Sequence, residues 1–217
     1  MRELIPKKYS PTTGNSSLLG LVFFTIFIIP VFPQESHRLL YNISYTLIFV
    51  LAVLSIEQER NTILWIAIVA TLTEWIAFYL QMPLLVSISL GVNLIFFTLV
   101  VVKMIMQIAG TKEVNVRVIV ESINGYLLLG IVFSIIVSFI SIIQPEAYNL
   151  SSGFNSDVSQ ASNYIYYTFV TLTTLGYGDI VPQISVTKSL AILISITGQI
   201  YIAIIIAMLV GKLASKK

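Results

Sequence analysis

Apolar residues run along this chain in six long stretches: Ser16–Phe32, Leu39–Ile56, Ile63–Leu80, Leu84–Ile108, Ser122–Ile143 and Thr187–Val210. Each is close to the length, about 17–25 residues, at which a helix crosses the hydrocarbon core of a bilayer. Pro33, the Glu57–Asn61 cluster and Pro83 mark three of the polar breaks between them. The pattern predicts an all-α membrane protein with six transmembrane helices. The first stretch follows Arg2, Lys7 and Lys8, as a signal peptide would. It ends in Ile-Pro-Val-Phe-Pro, without a small-residue cleavage site, and reads as a retained helix.

Composition strengthens the membrane reading and removes other classes. Hydrophobic residues make up 57% of the chain and charged ones 10%, against about 25% charged in ordinary soluble domains. A net charge of +2 is too small to argue for nucleic acid. Without cysteine there is no disulfide framework, thiolate metal site or cysteine nucleophile. The lone His37, in a short loop beside Arg38, has no second histidine with which to ligate and reads as structural or solvated. The few embedded polar groups form no nucleophile, metal or acid–base constellation, so neither an enzyme nor an organic cofactor is expected.

Basic residues set the orientation. With both termini cytoplasmic, ten of the twelve Lys and Arg residues fall inside and only Arg38 and Lys188 outside. The protein is expected in a cell membrane as a multi-pass chain. Gln144–Val186 then lies outside. Within it, Pro145–Asn163 is polar and predicts an exposed turret, whereas Tyr164–Thr173 is apolar and too short to span. A short apolar segment before a glycine-rich turn predicts a re-entrant helix, tolerated where protein buries it or water lines it.

That turn carries the chemistry. Tyr166 to Asp179 reads Tyr-Tyr-Thr-Phe-Val-Thr-Leu-Thr-Thr-Leu-Gly-Tyr-Gly-Asp, between the last two spans. The segment resembles the pore loop of the potassium channel family, in particular the small bacterial six-helix type without an arginine-bearing voltage sensor. The resemblance implies a pore helix and selectivity filter within a homotetramer, one chain joined by three further copies and bathed in membrane lipid. It implies potassium bound by carbonyls of Thr174, Leu175, Gly176 and Tyr177, with the Thr174 hydroxyl adding a further ring. Gly176 and Gly178 supply the positive-φ positions that let successive carbonyls point one way. Tyr166 and Tyr167 match an aromatic cuff, and Asp179 matches the acidic residue after the filter. Val170 departs from the pattern, since some members carry there a glutamate that pairs with this aspartate.

Gly198 lies nineteen residues beyond Asp179, where related inner helices often carry a gating glycine. A hinge and a close-packing site are both open readings. Ile202, Ile206 and Val210 recur below it at helical spacing, either as a hydrophobic constriction that gates by dewetting or as ordinary packing surface. Gln199 is the polar exception and a candidate to face the cavity.

The fourth span carries only Lys103, near its cytoplasmic end, so steep voltage gating is not expected. The sequence ends at Lys217, shortly after the last span, and a cytoplasmic regulatory domain is not expected. Glu74, inside the third span, comes to a depth similar to that of Asn93 in the fourth. The pair reads either as a bond that ties helices together or as part of a proton or ligand sensor. The predicted division is a tail over 1–15, a peripheral four-helix domain over 16–110, a linker over 111–121, a pore domain over 122–212 and a tail over 213–217. Arg117 and Glu121 sit four apart in the linker, whose alternating valines leave helix and strand open. The expected function is passive potassium conduction. A silent subunit of a mixed channel is an alternative, and a potassium transporter is a more distant one, disfavoured by the single intact loop.

Overall fold

A computed structural model describes residues 11–56, 60–111, 113–150 and 160–214. Its first helix, α1 (Pro11–Phe23), continues through a π-helical turn over Phe24–Ile28 and a 3-10 turn over Ile29–Val31. Pro30 explains the change: its ring displaces the carbonyl one turn earlier and it has no N–H to donate. The chain answers by widening, with the Ile29 N–H donating to the Phe24 carbonyl.

Four further long helices follow: α2 (Gln34–Ser55), α3 (Arg60–Leu80), α4 (Pro83–Gly110) and α5 (Val116–Ile143). Two shorter elements come next, β1 (Tyr148–Leu150) and the helix α6 (Gln160–Leu172). The chain then forms β2 (Ile180–Pro182) and ends on α7 (Ser185–Ala214). Among the described residues six segments are long and apolar enough to cross a membrane, and they coincide with the six apolar stretches. Pro83 opens α4 in its first turn, where a missing N–H is harmless. Asn115 caps α5 by accepting the Val118 N–H at 3.1 Å, which decides the valine-rich segment in favour of helix.

In lipid, helices gain little from hiding apolar surface from one another, so fit decides their pairing. Between α2 and α4 aromatic rings interlock, with the Phe49 ring 4.7 Å from Phe96 and 5.5 Å from Phe97. All three rings are fully buried. The α1 helix packs on both α2 and α5, and α3 on α4. Only Thr111–Asn115 separates α4 from α5, and five extended residues reach about 17 Å at most. Consequently α5 folds back along α4, and α1 and α4 rest on the α5 of their own chain.

The mostly helical chain fits the all-α class expected, and a short two-stranded antiparallel ribbon is added to it, in which Tyr148, Asn149 and Leu150 face Pro182, Val181 and Ile180. Two expectations need correction. Pro145–Asn163 is not a uniform exposed turret. Ala147, Tyr148, Ser162 and Asn163 are buried, and 160–163 belong to α6; residues 151–159 lie outside the described residues. The N-terminal tail is shorter than 1–15, because helix begins at Pro11 and Asn15 is fully buried. Likewise 116–121 of the expected linker form the first turns of α5, and α7 runs on to Ala214.

Candidate functional site

The loop between α6 and β2 is built by the way α6 ends. Thr174 N–H donates to the Thr171 carbonyl at 3.0 Å, and Leu175 N–H reaches back to the Val170 carbonyl at 3.0 Å. This is the pair of bonds of a Schellman cap, and it places Thr174 at the left-handed position, with φ of 61°. A β-branched residue resists that conformation, so Thr174 carries backbone strain of the kind that concentrates at functional sites. The loop continues with φ of 56° at Gly176 and 78° at Gly178. Every second residue from Thr174 to Gly178 is therefore left-handed. Sequence reasoning anticipated the two glycines and missed Thr174, because nothing in a threonine signals positive φ.

The loop is braced on both sides. The Tyr166 hydroxyl donates to Asp179 Oδ2 at 2.5 Å, and Asp179 Oδ1 accepts the Ile180 N–H at 3.0 Å. The hydrogen bond to Asp179 pushes the Tyr166 phenol up to about 12, since an anionic phenolate could not donate to the carboxylate. Position 170 thus has no part in holding Asp179; the tyrosine one helical turn earlier does it. Tyr167 is buried and stands edge-on to Tyr148 of β1, with centroids 5.0 Å apart. Gln183 N–H and the Thr187 hydroxyl both donate to the Ala147 carbonyl, at 2.9 and 3.1 Å, so the segments before and after the loop close on each other.

On α7, Gly198 is buried against the end of α6, where an added Cβ would lie 2.1 Å from the Leu172 carbonyl oxygen. Of the two readings of this glycine, the geometry supports close packing. Gln199, Ile202, Ile206 and Val210 are exposed in the single chain, while Tyr201 and Ile205 turn inward. The inward face is anchored by the Tyr201 hydroxyl, which donates to the Ser122 carbonyl at 2.9 Å.

Two further anchors escaped the sequence. Glu121, fully buried, accepts Asn15 Nδ2 at 2.7 Å, Gln107 Nε2 at 2.8 Å and Arg117 Nε at 2.7 Å, all on Oε1. It joins α1, α4 and α5 at one point. Lys212, in the last turn of α7, donates to the Ile108 and Ala109 carbonyls at 2.5 and 3.1 Å. An ammonium at these unpaired carbonyls suits the negative end of the α4 dipole. Only Arg117 was visible as a partner of Glu121, since the others are distant in sequence.

Glu74 accepts the Ser89 hydroxyl at 2.7 Å and Asn93 Nδ2 at 2.6 Å, both on Oε2. His37 lies in the first turn of α2 rather than in a loop. It is buried, with Nε2 2.8 Å from the Phe32 carbonyl and Nδ1 3.3 Å from the Ser162 hydroxyl of α6. Lys103 is partly buried in α4.

Residues 125–215 match the sequence profile of a family described as Ion channel. That region runs from α5 through the loop and α6 to the end of α7, so the match falls on the elements that build the site. No curated protein and no solved structure matches the chain. The profile match and the apolar helices support an ion channel of the helical, multi-pass membrane class.

Proposed function

We propose that this chain is one subunit of a homotetrameric, potassium-selective channel of small bacterial type, conducting passively across a cell membrane with both termini cytoplasmic. The observation that carries the reading is the alternation of left-handed residues at Thr174, Gly176 and Gly178. An alternating backbone turns successive carbonyls to one side, which is what a dehydrated cation needs in place of its water. One chain has one such loop, and closed cyclic symmetry is the economical way to complete rings of oxygens. Leu175 and Tyr177 are 56% and 67% exposed in the single chain. In the proposed ring, neighbouring subunits cover them.

With Lys103 as the one basic residue of α4, open probability varies weakly with voltage. The stripe Ile202, Ile206 and Val210 lines the cytoplasmic mouth, and Gln199 faces the cavity above it. Purified protein in potassium-loaded liposomes tests the reading. Rubidium uptake that excludes sodium and is blocked by barium is the expected result. Reversal potentials that fail to distinguish sodium from potassium overturn it. Replacing Tyr177 or Gly178 weakens discrimination or prevents assembly.

A further inference from the structure

Away from the loop, a cavity of about 420 Å³ opens between α2, α3, α4 and the α5–α6 pair. Its walls include Tyr41, Asn42, Tyr45, Glu74, Phe78 and Ser89. Glu74 lies six residues before the end of α3, about 9 Å along the helix axis, so the cavity occupies the half of the spans nearer the filter loop.

A carboxylate at this depth is costly unless it faces protein partners or water. Ser89 and Asn93 converge on Oε2, and both are neutral. Two donors on one oxygen orient the group and leave Oε1 open to a further donor. Among the described residues no cationic side chain pairs with Glu74. The lining does contain Arg38, but its guanidinium donates to the Phe78 carbonyl at 2.8 Å and lies 5.0 Å over the Phe78 ring. His37, also on the lining, is occupied by the Phe32 carbonyl and Ser162.

Asn42 adds an independent observation. It is 3% exposed, lines the same cavity, and its Nδ2 has no hydrogen-bond partner. One cavity therefore combines a carboxylate without counter-charge, aromatic walls that favour a cation, and an unpartnered amide donor. No cluster of three or more His, Cys, Asp or Glu exists among the described residues, which disfavours a metal ion.

We propose that this cavity binds an amino-alcohol group, its ammonium on Glu74 beside Tyr41 and Tyr45 and its oxygen on Asn42 Nδ2. A free amine and the headgroup of an ethanolamine phospholipid share this chemistry. The inference does not depend on what the loop conducts.

Binding of radiolabelled ethanolamine to the immobilised full chain tests it, with barium present to occupy the pore loop. Saturable binding is expected, displaced by choline and untouched by ethylene glycol, which has the size without the charge. Native mass spectrometry with phosphatidylethanolamine against phosphatidylglycerol forms the lipid arm. Retention of the former alone marks the headgroup as the source, and ethanolamine binding without lipid retention marks the free amine. Glu74→Gln, nearly the same shape, is expected to weaken either interaction at least tenfold, with Glu74→Asp intermediate. No saturable binding in either arm overturns the proposal. So does displacement by ethylene glycol, or undiminished binding by a folded Glu74→Gln protein.

Discussion

Gly198 of the last helix lies so close to Leu172 of the short helix that a Cβ on the glycine would stand 2.1 Å from the leucine carbonyl oxygen. That oxygen belongs to the final residue of α6, one peptide before the turn into the loop. The obstacle is backbone, which cannot swing aside as a side chain would. Gly198→Ala is therefore expected to push α6 and α7 apart, at a cost of at least about 1–3 kcal/mol. At matched protein yield, rubidium uptake falls at least tenfold and detergent-solubilised assemblies melt earlier. Parent-like uptake and melting would show that the contact is loose.

The bond between Tyr166 and Asp179 has a pH signature. A phenol held up to about 12 in the folded loop, against 10.0 when free, keeps its proton while the unfolded chain loses one. The stabilisation is thus complete below pH 10, declines from 10 towards 12, and is gone above that. Tyr166→Phe is expected to lower stability below pH 10 and to flatten the decline across that window. Thermal melts of parent and variant from pH 8 to 12 check it, and parallel curves would remove the bond from the account.

Glu121 is the acceptor on which three donors from three helices meet. Glu121→Ala removes from a buried site the acceptor that those donors share, a change worth about 3–5 kcal/mol where a buried charge pair is broken. Glu121→Gln keeps the shape and one acceptor and is expected to fall between. The measure is the melting temperature of purified protein by fluorescence-detected size exclusion. An alanine variant as stable as the parent would mean that α1, α4 and α5 are joined by apolar packing alone.

The stripe on α7 is open to a direct trial. If four copies of Ile206 and Val210 close the proposed pore by excluding water, a polar ring rewets it. Ile206→Asp and Val210→Asp are then expected to take up rubidium faster than the parent at equal assembly yield. Equal rates in both variants would move control from the mouth to the loop, where Thr174 is strained.

The six spans were legible because apolar runs of this length have one stable form in a bilayer, and their ends moved by only a few residues. The pairing of Arg117 with Glu121 was legible as well, being local at i,i+4. What escaped was non-local or conformational. The β1–β2 ribbon joins residues some thirty positions apart, with no alternation long enough to announce a strand. Asn15 reaches Glu121 across 106 residues and Lys212 reaches Ile108 across 104. Gly198 was visible as a special position, but its use depended on what lay opposite. The left-handed turn at Thr174 follows from how α6 is capped, a relation among backbone groups that side-chain identity does not encode.

The five-residue joint between α4 and α5 bears on how such a chain matures. If copies assemble as proposed, a connection this short would keep each peripheral bundle beside the α5 of its own chain, and each copy would meet the next as a folded unit. The proposed assembly would then join finished units rather than interlaced ones. In the proposed ring of four, a lesion in one bundle would burden its own quarter first, and mixed populations of sound and damaged copies would lose performance by degrees rather than at a single threshold.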